Sequence, residues 1–150
     1  MRILIDADAC PKLKQILSIG REHNLEVHLF HDTCREFDLD NVFIHVVDKG
    51  LDSADFSIVN FCKKGDIVIT RDGGLAAMIL AKLAYAVNTS GLEYDESNIL
   101  SVLTSRHLTK KERMRQKHSA LKCTKMPKLE HTSLRETLTR IITKNKEIAE

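Results

Sequence analysis

The sequence predicts an α/β domain built on a mainly parallel sheet of about five strands. Short apolar, β-branched runs alternate with segments of helical period, the signature of βαβ units. Three of those runs end in acidic residues, and in an open parallel sheet ligands bind just beyond the carboxyl ends of the strands. A chain of 150 residues holds one ordinary domain with its own core and is too short for two comfortable ones.

The first run, residues 2–6, is a strand that stops abruptly at Asp6 and Asp8, and Pro11 stands where a helix can start. Residues 11–23 then place Leu13, Ile16, Leu17 and Gly20 on one helical face. Strands follow over 26–30 and 42–47. Residues 53–63 read as a helix with Ala54, Ile58, Val59, Phe61 and Cys62 inward. A strand over 66–70, an Ala/Leu/Met-rich helix over 73–82 and a strand over 84–87 continue the alternation. Residues 95–105 form another helix, with Asp95 as N-cap before Ile99, Leu100 and Leu103. Beyond His107 the character changes. Thr109-Lys110-Lys111-Glu112 opens a basic helix ending near Lys117, and residues 119–130, with Pro127, form a loop. A last amphipathic helix over 132–146 carries Leu134, Leu138, Ile141 and Ile142 on one stripe. The expected organisation is an α/β domain over 1–105 with a basic helical C-terminal extension, 106–150, packed on the same domain.

Composition is that of a soluble globular protein, 43% hydrophobic and 29% charged with no Trp. No apolar run is long enough to span a bilayer, and the N-terminal one stops at Asp6, short of a signal peptide. A cytoplasmic location with no membrane partner is therefore expected. Cys10, Cys34, Cys62 and Cys123 include no Cys-x-x-Cys pair, so neither a zinc knuckle nor a redox pair is indicated, and all four read as reduced and non-catalytic. The net charge of +2 is unevenly spread. Residues 104–150 hold thirteen Lys or Arg against five Glu, so the body before them is acidic. That division suits an enzyme acting on a polyanion, and equally a solvated helical surface rich in lysine.

Three acidic clusters fall at equivalent places. Asp6 and Asp8 follow the first strand, Asp52 and Asp55 open the helix after the third, and Asp72 follows Ile67-Val68-Ile69-Thr70-Arg71. Each of Asp52, Asp55 and Asp72 is also a natural helix cap. Carboxylates gathered on one sheet edge raise each other's pKa, and a divalent cation removes that cost. Such a site lowers the pKa of a bound water and stabilises an attacked phosphate.

The segments Asp-Ala-Asp-Ala-Cys-Pro at 6–11, Gly-x-Asp-x-Ala-Asp at 50–55 and Ile-Val-Ile-Thr-x-Asp-x-x-Leu-Ala at 67–76 occur in that order. Together they resemble the YaiI/YqxD family (uncharacterised protein family 0178), related to PIN and NYN nuclease-like domains. The resemblance extends through Ser97-Asn98-Ile99 and from Arg106 to Arg113. It implies a three-layer α/β/α PIN-like sandwich. It also implies that Asp6, Asp55 and Asp72 are catalytic carboxylates binding Mg²⁺ or Mn²⁺, with Asp8 and Asp52 as further ligands or supporting groups. Thr70 would orient the site and Arg71 would meet a phosphate. Two departures from the family pattern stand out. Gly73-Gly74 either loosen a helix start or admit a phosphate to the backbone. Lys122-Cys123-Thr124-Lys125-Met126-Pro127 replaces the glycine-proline and Asp-Arg-x-x-Phe features of the family's C-terminal stretch.

The seven histidines include no His-x-x-x-His pair, and His28 and His45 read as packed or surface residues of strands. Arg106, Arg113, Arg115 and Lys117 are candidates for neutralising a nucleic-acid backbone. No aromatic residues interleave with them, so this patch offers no stacking platform and no base specificity. The leading expectation is a metal-dependent nuclease acting on single-stranded or structured RNA rather than DNA. A non-catalytic PIN-like protein binding nucleic acid or metal is the alternative. A haloacid-dehalogenase-like phosphatase would share Asp6-x-Asp8 and Thr70. It would also need a later lysine and an acidic pair at another strand end, whereas Asp95-Glu96 open a helix.

Overall fold

The computed structural model describes residues 1–7, 11–32, 39–48, 53–105 and 132–149. Its elements run β1 (Ile3–Asp6), α1 (Leu13–His23), β2 (Val27–Asp32), β3 (Phe43–Val47), α2 (Ser53–Phe61), β4 (Ile67–Ile69), α3 (Gly73–Ala81), β5 (Tyr85–Val87) and β6 (Glu93–Tyr94). A helical stretch over residues 99–105, here α4, and α5 (Leu134–Ala149) complete them. The five expected strands all form. The sixth, β6, is only two residues long, too short to show alternation in a sequence. The basic helix expected over 109–117 and the loop expected over 119–130 lie outside the described residues.

The strands make one sheet in the order β3-β2-β1-β4-β5-β6, parallel throughout except for β6, which runs antiparallel to β5. The path moves from β1 to β2 by way of α1, then returns past β1 to β4 and β5 by way of α2 and α3. Crossovers of this kind are right-handed, so reversing direction moves the helices to the opposite face. Alternate residues of each strand accordingly feed two cores. Ile3 and Ile5 pack with Ile16, Leu17 and Ile19 of α1 and with Leu134, Leu138, Ile141 and Ile142 of α5. Leu4 and Val68 pack with Ile58 of α2 and with Leu75, Ala76 and Ile79 of α3, while Ile99 and Val102 of α4 close that side. The result is a three-layer α/β/α sandwich. No helix among the described residues is long and apolar enough to cross a membrane.

Local chemistry sets the helix ends. α1 begins at Leu13 after a turn through Pro11 and Lys12, and it stops at Asn24, whose left-handed φ of 55° lets the Leu25 N–H reach back to the Gly20 carbonyl at 2.8 Å. Asp95 Oδ1 accepts from the N–H groups of Ser97 and Asn98, ordering the turn ahead of α4. α5 starts with a reciprocal capping box. The Ser133 hydroxyl accepts from the Glu136 N–H, and the Glu136 carboxylate accepts from the Ser133 N–H. The same helix is anchored when the Thr137 hydroxyl donates to the Gly91 carbonyl at 2.6 Å. Gly91 sits at φ +97°, and a Cβ there would lie 2.0 Å from the Thr132 carbonyl oxygen, so only glycine fits.

At the amino edge of the sheet, Asp66 is buried and holds the start of β4 against β1. Arg2 reaches it with its guanidinium at 2.6 Å and its backbone N–H at 3.0 Å, and Lys63 N–H adds a third bond. Arg2 also lies over the Phe61 ring, 4.4 Å from its centre. Burial pushes the Asp66 carboxyl upward, but the bonds from Arg2 and Lys63 outweigh it and hold the group below the usual carboxylate range. The lowered folded-state value means this stabilisation is present above the ordinary carboxylate pKa and is lost as pH falls through the folded one.

Two predictions follow from this packing. Asp66→Asn is expected to cost about 3 kcal/mol in urea unfolding at neutral pH, by leaving Arg2 without its counter-ion. The gap to wild type should narrow as the pH drops below about 4; a gap constant down to strongly acid pH would show that Asp66 contributes no charge pairing. Gly91→Ala is expected to lower stability by roughly 1–3 kcal/mol in the same assay through overpacking against Thr132.

Candidate functional site

The pairing of β1 with β4 sets Ile5 beside Ile69, so the next residues, Asp6 and Thr70, meet at the carboxyl edge. Both are buried and share the face covered by α2 and α3. The Thr70 hydroxyl donates to Asp6 Oδ2 at 3.3 Å and accepts from the Asp72 N–H at 3.0 Å. Its own N–H continues the ladder to the Val87 carbonyl. One hydroxyl thus ties the end of β1 to the loop that follows β4. The order of strands reverses between β1 and β4, and the crevice at such a reversal is where open α/β sheets bind ligands.

Asp72 is the N-cap of α3, with Oδ1 accepting from the N–H groups of Gly74 at 2.8 Å and Leu75 at 3.4 Å. The two glycines after it have a packing reason. A Cβ on Gly73 would lie 2.9 Å from Val102 Cγ1, so glycine lets α4 close onto the first turn of α3. Asp55 stands in the first turn of α2, where the helix dipole favours an anion. Arg71 is exposed between Thr70 and Asp72.

Asp6 and Asp72 are therefore linked through Thr70. Asp55 does not join them in a cluster: among the described residues no group of three or more His, Cys, Asp or Glu gathers that could hold a metal ion. Asp8, Asp52, Arg106, Arg113 and Arg115 lie outside the described residues. Cys62, the described cysteine, is buried, and burial pushes its thiol up to about 11, which keeps it protonated and a poor nucleophile.

Two neighbours of the site escaped the sequence reading. Tyr94 of β6 is buried, and its phenol is raised above the usual value by burial first, with the charge of Asp72 adding to the effect. No spacing rule connects Tyr94 to Asp72; only the antiparallel return of β6 does. The second neighbour is an aromatic group on β2, β3 and α2. His28 Nδ1 and His45 Nε2 share a hydrogen bond of 2.9 Å, and the His45 ring stacks on Phe30 at 4.4 Å with 8° between planes. Phe43 stacks on His28 and Phe61 leans on both histidines. Burial lowers the pKa of both imidazoles, favouring neutral rings in which one N–H faces one lone pair. His28 is buried and His45 half-buried on their strands, where the sequence reads them as packed or surface residues.

The chain matches the family described as uncharacterized BCR, YaiI/YqxD family, over residues 4–144. It is 43% identical to a UPF0178 protein of Alkaliphilus oremlandii over 128 residues, 85% of this chain and 80% of that one. A UPF0178 protein of Clostridium tetani is 46% identical over 113 residues, 75% of this chain and 77% of its own length. No solved structure matches the chain significantly.

The Thr70 hydroxyl generates a direct prediction. Thr70→Val leaves a buried carboxylate oxygen and the Asp72 N–H without their shared partner, and should cost about 1–3 kcal/mol in chemical denaturation. Thr70→Ser, which keeps the hydroxyl, should retain most of that stability, and a Thr70→Val variant as stable as wild type would show that the hydroxyl contributes nothing.

Proposed function

The chain belongs to the YaiI/YqxD family, and from that premise we propose that it is a Mg²⁺- or Mn²⁺-dependent nuclease of the cytoplasm, hydrolysing phosphodiester bonds of RNA in preference to DNA. The observation that supports this reading is the Asp6–Thr70–Asp72 chain of hydrogen bonds at the strand-order reversal. The PIN-like resemblance assigns acids to the same edge. Mg²⁺ retains several waters and needs only one or two protein carboxylates besides substrate phosphates, so a complete three-acid cage is not required of the described residues. Asp6 would hold the ion, with Asp72 linked to it through Thr70, and Asp8, Asp52 and Asp55 are the further ligands that the resemblance assigns. When bound, the ion supplies charge neutralisation at the phosphate and a water of lowered pKa.

The chain's own residues account for the rest. Thr70 fixes the Asp6 carboxylate in one orientation, so no side-chain freedom is lost when substrate arrives. Arg71, exposed beside Asp72, is placed to contact a phosphate oxygen with a charge-assisted bond. Arg106, Arg113 and Arg115 of the basic segment would neutralise further phosphates, which makes binding fall steeply with salt. One observation favours a second reading, a non-catalytic nucleic-acid- or metal-binding protein: Asp72 already serves its own helix.

The test is hydrolysis of end-labelled single-stranded RNA by the purified protein with Mn²⁺. Cleavage is expected to stop on chelation and to fall at least about a hundredfold in Asp6→Asn, the scale on which a single site group acts. Mn²⁺ should also raise the melting temperature of wild type and not of Asp6→Asn. Intact RNA together with a metal-linked shift would favour the binding protein, and absence of both would overturn the metal site.

A further inference from the structure

Strand register extends the row at the carboxyl edge beyond the acidic pair. Asp6 is the partner of Phe30 on β2, and Phe30 is the partner of His45 on β3. Thr70, Asp6, Phe30 and His45 thus stand side by side on four adjacent strands, all on the face covered by α2 and α3. With strands about 4.8 Å apart, the His45 position lies roughly 10 Å along the row from Asp6. There the sheet and α2 enclose an open cleft of about 440 Å³, bounded by Phe30, His45, Val47, Ser57, Asn60 and Phe61.

The lining has two chemistries in useful places. His45 and Phe61 bring half-buried aromatic rings to the cleft, with buried Phe30 stacked in parallel on His45 and Phe61 tilted at 54° to it. Ser57 and Asn60 are three apart on α2, so they share a helix face and supply hydroxyl and amide donors and acceptors. His45 is held by its bond to His28, which fixes the plane of its ring. A flat heterocycle with hydrogen-bonding edges is the ligand that uses both the rings and the amide. A lipid or an apolar peptide would leave Ser57 and Asn60 unsatisfied.

We propose that this cleft between β3 and α2 is a nucleobase subsite, which seats the base of a nucleotide whose phosphate lies at Asp6 and Thr70. The placement of the phosphate rests on the phosphodiester-hydrolysis reading; recognition of the base does not require cleavage. The cleft gives this edge a preference among bases, which the basic C-terminal segment lacks the aromatic residues to provide. Its polarity runs one way, with the base toward the β3 edge of the sheet and the sugar–phosphate chain toward β4.

The experiment is a titration of the full-length protein with each of the four nucleoside 5′-monophosphates and with ribose 5-phosphate, without metal, observing the ring signals of His45 and Phe61 by NMR. Saturable shifts are expected with at least one nucleotide and not with ribose 5-phosphate. Asn60→Ala, at an exposed position, should weaken that nucleotide about fivefold, the value of one neutral hydrogen bond. Rings unmoved by all four nucleotides, or moved equally by ribose 5-phosphate, overturn the subsite even if RNA is cleaved. Base-dependent shifts without any RNA cleavage overturn the nuclease reading and leave the subsite standing.

Discussion

The lateral pairing of β1 with β4 is the constraint on which the rest of this protein depends. It joins segments 64 residues apart, brings the Thr70 hydroxyl to the Asp6 carboxylate and makes the point at which the strand order reverses. Because the two strands are parallel and buried on both faces, their register cannot slip by one residue without moving Leu4 and Val68 into the wrong core. The same register then carries Phe30 and His45 into line with Asp6. Core packing and site geometry are set by one set of backbone hydrogen bonds.

The two edges of the sheet handle charge differently. At the amino edge, Asp66 is neutralised by Arg2, and Phe61 covers the guanidinium, so the charge is fully used in holding β4 to β1. At the carboxyl edge, Asp6 meets the Thr70 hydroxyl and Asp72 meets helix N–H groups. The amino edge is thus tied by an ion pair and the carboxyl edge by the hydrogen bonds that run through Thr70.

Much of this was legible from residue patterns. β-Branched runs and their spacing mark all five longer strands, and the stripe Leu134, Leu138, Ile141 and Ile142 marks the buried face of α5, because burial imposes periods of two and 3.6 residues on the chain. Asp95 was expected to cap a helix over 95–105; it orders the turn over 96–98 instead, and α4 begins at residue 99. Other features left no such trace. β6 is too short to alternate, and Gly73 owes its identity to Val102 on another helix. Asp72 could be placed at a strand end, but whether it caps a helix or faces a ligand is decided by a rotamer, not by spacing.

The sequence by itself determined the class of fold, the buried stripes of α1 and α5 and the position of Asp6 and Asp72 at strand ends, since these follow from local periodicity and from the strand-turn-helix order. Tertiary structure alone decided which strands are neighbours. That choice threads Thr70 between Asp6 and Asp72, keeps Asp55 out of a three-carboxylate cluster among the described residues, and assembles Phe30, His45 and Phe61 around one cleft. These contacts join residues far apart in the chain. The free energy that selects them comes from burying two faces of one sheet at once, which no local pattern records.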